Sequence, residues 1–320
     1  MNEKKMWYEV KYIRKKGKIR KIITYKDESI RRLHVQIKEY LEERLIFSKF
    51  TKAYVSNSSI FYNAKAHMYN DIFLKIDIKD FFNSINHKIL LEVLYSQLNL
   101  DSKQKETTKI EISKLIDVCS LDKRGIPLGL VTSPILSNIY LKEFDNILYG
   151  KLKRLGLENL IYTRYADDLT ISFKSISNIP DTLLKVILEL VSGLLKRYKL
   201  KINPNKVSLV DLNISNHVRI TGVSVTKDAN NYRKISIGRK RINNLYHDAI
   251  NMYIKCRTGS LSDADYLRIK QIKGMESFVY SVEKHGYDRV YSLKMHEQIK
   301  NMGFDSLSEL IKNLPENIRA

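Results

Sequence analysis

Tyr165-Ala166-Asp167-Asp168 sets two adjacent carboxylates between two apolar, strand-like runs, Leu160–Tyr165 and Leu169–Phe173. Like charges this close repel, and a protein keeps such a pair near its core only beside a compensating cation. A divalent metal with oxygen ligands meets that need. A third carboxylate, Asp77, ends the apolar run that begins at Ile72. Three carboxylates can hold two Mg2+ ions about 3.5–4 Å apart. One ion lowers the pKa of an attacking hydroxyl; the other neutralises a triphosphate and its leaving group. That is the chemistry of nucleotide polymerisation. The plainer reading is an Asp-rich turn and a surface aspartate, so the surrounding elements must decide.

Those elements are written in the hydrophobic pattern. Tyr162–Tyr165 and Leu169–Phe173 predict a hairpin with the Asp pair at its turn. Ile72–Ile78 predicts a buried strand, Ile89–Leu98 a helix, and residues 101–118 a second helix with a Lys/Glu-rich face. Gly125–Pro134 predicts a loop, and one helix runs from Pro134 to about Leu155. Asp181 caps a helix to about Lys199. Short strands follow at Lys206–Val210, His217–Val225 and Lys234–Ile237, with a turn at Lys227–Asn231. From Arg239 the pattern is helical, broken at Gly259–Asp265 and Lys284–Asp288. The central order is β-α-β-β-α-β. It predicts an α+β fold in which the end of the Asp77 strand lies beside the Asp167–Asp168 hairpin.

Composition narrows the partners. The 320 residues are 43% apolar, which argues against wholesale disorder. The 56 Lys+Arg against 35 Asp+Glu give a net charge of +21, a field that attracts polyanions. No run approaches the roughly 18 apolar residues of a membrane span. The first residues, Met-Asn-Glu-Lys-Lys, lack a secretory apolar core. A cytoplasmic protein with a nucleic-acid partner and no membrane is expected. Cys119 and Cys256 form no metal-type spacing and read as reduced thiols. The 20 tyrosines can offer stacking platforms or pack in the core. Lys11–Lys21, with seven basic residues punctuated by Gly17, predicts a hairpin, and Ser29–Leu45 a helix.

The ordered motifs resemble those of reverse transcriptases. Phe73-Leu-Lys-Ile-Asp77-Ile-Lys-Asp-Phe-Phe82 resembles the first catalytic motif of that family, and Tyr165-Ala-Asp167-Asp168 the second. Ile126-Pro-Leu-Gly129-Leu-Val-Thr-Ser133-Pro134 with Ser137-Asn138 resembles the loop and helix between them. Asn63-Ala-Lys-Ala-His67 resembles the Asn-Ala-x-x-His motif of bacterial retron enzymes. Ile220-Thr221-Gly222 is similar to their Val-Thr-Gly. The resemblance covers about residues 10–255. It implies a right-hand polymerase fold: fingers at 1–70 with part of 100–125, a ferredoxin-like palm at 71–225, and an α-helical thumb at 226–320. It also implies an RNA-directed DNA polymerase that copies a cognate structured noncoding RNA of msr-msd type. The product would be branched, RNA-linked DNA (msDNA), made from dNTPs alongside an effector or toxin protein in anti-phage defence.

Residue roles follow from the same resemblance. Asp77, Asp167 and Asp168, with the Ile78 carbonyl, match the ligands of two Mg2+ ions. Lys206 matches the lysine that protonates the pyrophosphate; otherwise it is an exposed strand-start lysine. Arg20, or Lys18 in its place, matches a triphosphate-binding cation. Phe82 matches the aromatic position that excludes a ribose 2′-hydroxyl, with core packing assigned to Phe81. Gly129 lets the backbone approach the nucleotide. Leu128 departs from the family's usual Gln. Asn63 and His67 contact RNA or make structural hydrogen bonds. Tyr165, Thr221, Gly222, Arg239, Lys240 and Arg241 are expected at the RNA or primer, with Lys255 and Arg257 extending the basic face. The rival readings are a group II intron-like or other bacterial defence reverse transcriptase, and a non-catalytic RNA-binding scaffold.

Overall fold

The computed structural model describes residues 4–15, 18–100, 106–175, 181–284 and 286–316. The chain divides into two compact units, Met1–Ile214 and Ser215–Ala320.

In the first unit, a short turn of helix α1 (Lys4–Trp7) leads into the hairpin β1 (Tyr8–Lys15) and β2 (Lys18–Tyr25). This hairpin is longer than Lys11–Lys21 predicts, and Gly17 lies outside the described residues. Helix α2 (Glu28–Arg44) starts one residue before the expected Ser29, because Asp27 caps it by accepting the Ser29 amide at 2.7 Å. Then come α3 (Ile60–Ala66), β3 (Ile72–Asp77), α4 (Phe81–Ser84), α5 (His87–Leu98) and α6 (Lys109–Val118). Helix α6 covers Lys109–Val118 of the predicted 101–118 helix, of which 101–105 lie outside the described residues. Thr108 and Glu111 form a reciprocal capping box that fixes its start.

The predicted helix from Pro134 to Leu155 is two helices, α7 (Ser133–Tyr140) and α8 (Lys142–Lys153), meeting at Leu141. An unbroken apolar stripe hid that junction, since Leu141 is buried in either case. The hairpin β4 (Ile161–Tyr165) and β5 (Asp168–Phe173) follows as predicted, then α9 (Asp181–Arg197). A 3-10 turn, Pro204–Lys206, precedes β6 (Ser208–Asp211), so Lys206 sits before the strand rather than in it.

Four strands make an antiparallel sheet in the order β4-β5-β3-β6. This is the ferredoxin-like arrangement that the β-α-β-β-α-β order predicts. Strands β3 and β5 are central and largely buried on both faces; β3 is mostly apolar, whereas β5 alternates Leu169, Ile171 and Phe173 with the buried Thr170 and Ser172. Ile72, Leu74 and Ile76 pack with Leu136, Ile139, Phe144, Leu148 and Val191 in one core.

The second unit opens with an antiparallel sheet of β7 (His217–Ile220), β8 (Val223–Lys227) and β9 (Arg233–Ser236). The single strand predicted at His217–Val225 is a hairpin. Thr221 (φ 45°) and Gly222 (φ 90°) form its two-residue turn, both in the left-handed region that such turns need. Helices α10 (Arg239–Thr258), α11 (Asp263–Val282), α12 (Leu293–Asn301) and α13 (Leu307–Lys312) complete it.

Candidate active site

Antiparallel pairing sets Asp77, the last residue of β3, directly opposite Asp168, the first of β5. The next amide, of Ile78, donates to the Asp167 carbonyl at 2.9 Å. Asp77 and the distant Asp167–Asp168 pair thus meet at one end of the sheet. Burial, reinforced by Asp168 and Asp77, pushes the Asp167 carboxyl up to about 6. Asp168 is also raised, first by lost hydration and then by Asp77. Asp77 is 4% exposed and already holds cationic and amide partners. Lys206 donates to its Oδ2 at 2.5 Å and Asn203 to its Oδ1 at 2.9 Å. The Lys206 ammonium is raised, chiefly by its hydrogen bond to Asp77. Among the described residues, no three His, Cys, Asp or Glu side chains are gathered as a metal cage. Yet the donor set suits a hard divalent cation: oxygens only, strongly like-charged, with one carboxylate drawing in an ammonium.

The turn is held from beneath by a group that sequence reading missed. Arg164 and Asp145 are both fully buried and form a bidentate pair, Nε to Oδ1 at 2.8 Å and Nη2 to Oδ2 at 2.9 Å. Tyr162 donates to the same Oδ1 at 2.7 Å. Arg164 also donates to the Asn138 carbonyl at 3.2 Å and to the Ala166 carbonyl at 3.3 Å. Ala166 lies at φ 55°, a costly region for a residue with a Cβ. Arg164 therefore ties the strained turn to α7 and α8. An Arg inside an apolar strand was the available signal, since a buried charge must be paired.

A cleft of about 390 Å³ lies between β2 and residues 121–128. Arg20 lines it as expected, and Lys21 and Arg124 add two cations that the sequence reading did not single out. The Lys18 side chain lies outside the described residues. Phe82 is absent from the lining: it packs, half-buried, against the core edge-on to Phe81, whose own side chain is buried. Gly129 (φ 108°) has a different neighbour from the one expected. A Cβ there would stand 2.2 Å from the Ile23 carbonyl, so its missing side chain admits β2. Leu128 contributes its carbonyl to the Ile23 amide at 2.8 Å, a bond that needs no Gln side chain.

His67 caps α3 and is fully buried, with Nδ1 2.7 Å from Ser172 Oγ and Nε2 2.7 Å from Thr163 Oγ1. Burial holds it neutral, with its pKa lowered to about 3. Of the two options for this motif, His67 makes structural hydrogen bonds, and Asn63 is buried one turn earlier. Tyr165 closes the hairpin opposite Asp168.

In the second unit, Arg241 lies against the Thr221-Gly222 turn. Its Nη1 donates to the Gly222 carbonyl at 2.8 Å, and its guanidinium sits over the Phe278 ring. Arg239 and Lys240 are exposed. Lys255 pairs with Asp265 at 2.6 Å and stays exposed, as does Arg257.

Residues 13–225 match the family model described as reverse transcriptase (RNA-dependent DNA polymerase). The chain belongs to that family, and its activity is RNA-directed DNA polymerisation. Within the family its likeness is to the retron type. It is 28% identical to the retron Ec83 reverse transcriptase of Escherichia coli over 91% of this chain and 91% of that protein. With the retron Ec73 enzyme of the same organism it shares 27% over 83% of this chain and 81% of that one. Among solved structures, apo telomerase from Candida Tropicalis aligns with 95% of this chain and 60% of its own, at TM-score 0.50 and 13% identity. That likeness is one of fold, the right-hand polymerase fold.

Proposed function

We propose that this reverse transcriptase is a retron enzyme that copies a cognate noncoding RNA of msr-msd type into branched, RNA-linked DNA. The carrying observation is the Asp77–Asp168 pair with the Ile78–Asp167 bond, which brings three carboxylates to one sheet end. Two Mg2+ ions on Asp77, Asp167, Asp168 and the Ile78 carbonyl would activate the primer hydroxyl and neutralise phosphate charge. Arg20, Lys21 and Arg124 grip the triphosphate oxygens in the β2 cleft. Lys206 keeps its proton against Asp77 and gives it to the departing pyrophosphate oxygen. Lys206, Asp77 and the turn held by Arg164 then work as one unit. Arg239, Lys240 and Arg257 bind phosphates of the template–primer, and Thr221-Gly222 shapes the surface beside Arg241.

Fingers at 1–70 with part of 100–125, palm at 71–225 and thumb at 226–320 complete the assignment. The cytoplasm is the expected compartment. Among the described residues no helix is long and apolar enough to cross a membrane. A partner effector protein and a role in anti-phage defence belong to the same reading. The test is single-turnover dNTP incorporation by Asp167→Asn on an RNA template. We expect it to fall below about one-thousandth of the parent rate with RNA binding retained. An unchanged rate removes the carboxylates from the chemistry and favours the scaffold reading.

A further inference from the structure

The hairpin β1–β2 carries Arg20 and Lys21, yet it stands apart from the main core. Its own apolar support is a small cluster of Tyr8, Ile23 and Leu130. One backbone bond, from the Ile23 amide to the Leu128 carbonyl at 2.8 Å, joins it to the opposite wall of the cleft, beside the close approach at Gly129. Such a bond is a pivot and does not set an angle. At about 3.3 Å per residue, Arg20 lies about 10 Å along β2 from Ile23, so a tilt of about 10° would move it by about 2 Å. Asp80 and Asp122 also line the cleft, so a misaimed cation has carboxylates to turn to.

Helix α2 supplies the group that fixes the angle. His34 is fully buried, and its ring reaches both strands and the loop before α7. Tyr25 Oη accepts the Val131 amide at 2.9 Å and lies 3.0 Å from His34 Nδ1. Among the described residues Nδ1 is the acceptor within reach of the Tyr25 hydroxyl hydrogen, so that nitrogen is bare. Thr132 Oγ1, 3.3 Å from Nδ1, is a second donor to it. Nε2 then carries the proton and faces Tyr8 Oη at 3.2 Å. Tyr8 in turn donates to the Val118 carbonyl at 3.4 Å, which also accepts from the His34 ring. A relay of matched donors and acceptors thus runs from Val131 through Tyr25, His34 and Tyr8 to Val118. Burial lowers the His34 pKa and pushes that of Tyr25 up to about 12, so the ring stays neutral and the hydroxyl keeps its hydrogen. A polar network satisfied at each step specifies one arrangement of the elements it joins.

We propose that His34 is a positioning residue for the incoming nucleotide: through Tyr25 it fixes the tilt of the β1–β2 hairpin and so aims Arg20 and Lys21 across the cleft. The proposal rests on the triphosphate reading of that cleft and adds the group that sets its geometry.

The test measures the dNTP KM, the template–primer KM and kcat for Tyr25→Phe, His34→Leu, His34→Asn and Arg20→Ala. Tyr25→Phe and His34→Leu should each raise the dNTP KM about 5-fold or more, with kcat and the template–primer KM unchanged. His34→Asn should restore most of the loss, because its carboxamide oxygen stands where Nδ1 accepts. Nitrogen NMR of the histidine-labelled parent should show His34 with a bare Nδ1 and a protonated Nε2 near neutral pH.

A parental dNTP KM in Tyr25→Phe and His34→Leu, with only a lower melting temperature, would overturn the proposal in favour of a structural role. So would a protonated Nδ1, or a dNTP KM as high in His34→Asn as in His34→Leu. Arg20→Ala separates the two readings. A parental KM there removes the triphosphate reading of the cleft and this proposal with it. A raised KM in Arg20→Ala alone removes only the positioning role.

Discussion

Lys206 illustrates how much one residue's chemistry depends on its partner. Its ammonium rests on Asp77, which raises its pKa, and the proposed mechanism uses that proton on the leaving pyrophosphate. Lys206→Ala should slow single-turnover incorporation by about 10²- to 10⁴-fold. An unchanged rate removes it from the mechanism. His67 carries a pH dependence of a different kind. Its folded pKa, lowered to about 3, lies below the ordinary value of 6.5. Between those values the unfolded chain binds a proton that the folded one refuses. The His67 contribution is therefore complete above pH 6.5 and declines as pH falls toward 3, by up to about 1.4 kcal/mol per pH unit. Denaturant unfolding at pH 7, 6 and 5 should show this slope, and His67→Gln should flatten it. A slope unchanged in the variant would place the titration elsewhere. Asp77, Asp167 and Asp168 could be grouped from the sequence because the strand order folds the end of the Asp77 strand beside the Asp167–Asp168 hairpin. The neighbour of Gly129 was not, because a Gly records that something comes close but not what does.

Among the elements, the sheet order was legible because the alternation of strands and helices is the β-α-β-β-α-β order, which admits few topologies. The break between α7 and α8 and the Thr221-Gly222 turn were not. Each lies inside an apolar pattern that reads the same whether the chain bends or runs on. Arg164 joins β4 to α7, α8 and the Ala166 carbonyl. Arg164→Met leaves Asp145 buried without its cation and should cost about 3–5 kcal/mol, seen as a lower melting temperature. Adding Asp145→Leu should restore most of that stability, because an apolar pair of similar volume replaces the ion pair. The double variant should nevertheless incorporate dNTPs slowly, since the turn has lost its donor. Full activity in the double variant would show that Arg164 supports the fold and not the turn.

For the whole molecule, charge and architecture carry different parts of the account. The net charge of +21 explains affinity for a polyanion and does not select one. The family and fold carry the polymerase activity, and the proposed site for it is the end of the sheet where Asp77 faces Asp168. In the second unit Arg241 donates to the Gly222 carbonyl and Lys255 pairs with Asp265, while Lys255, Arg239 and Lys240 all stay exposed. The most direct measurement is of the product formed when the purified protein is given its neighbouring structured noncoding RNA, dNTPs and Mg2+. The account predicts DNA joined to that RNA through the 2′ oxygen of an internal guanosine, shortened by RNase and released by a 2′–5′ debranching activity. Free DNA, extended equally well from any annealed primer and without preference for that RNA, would contradict it.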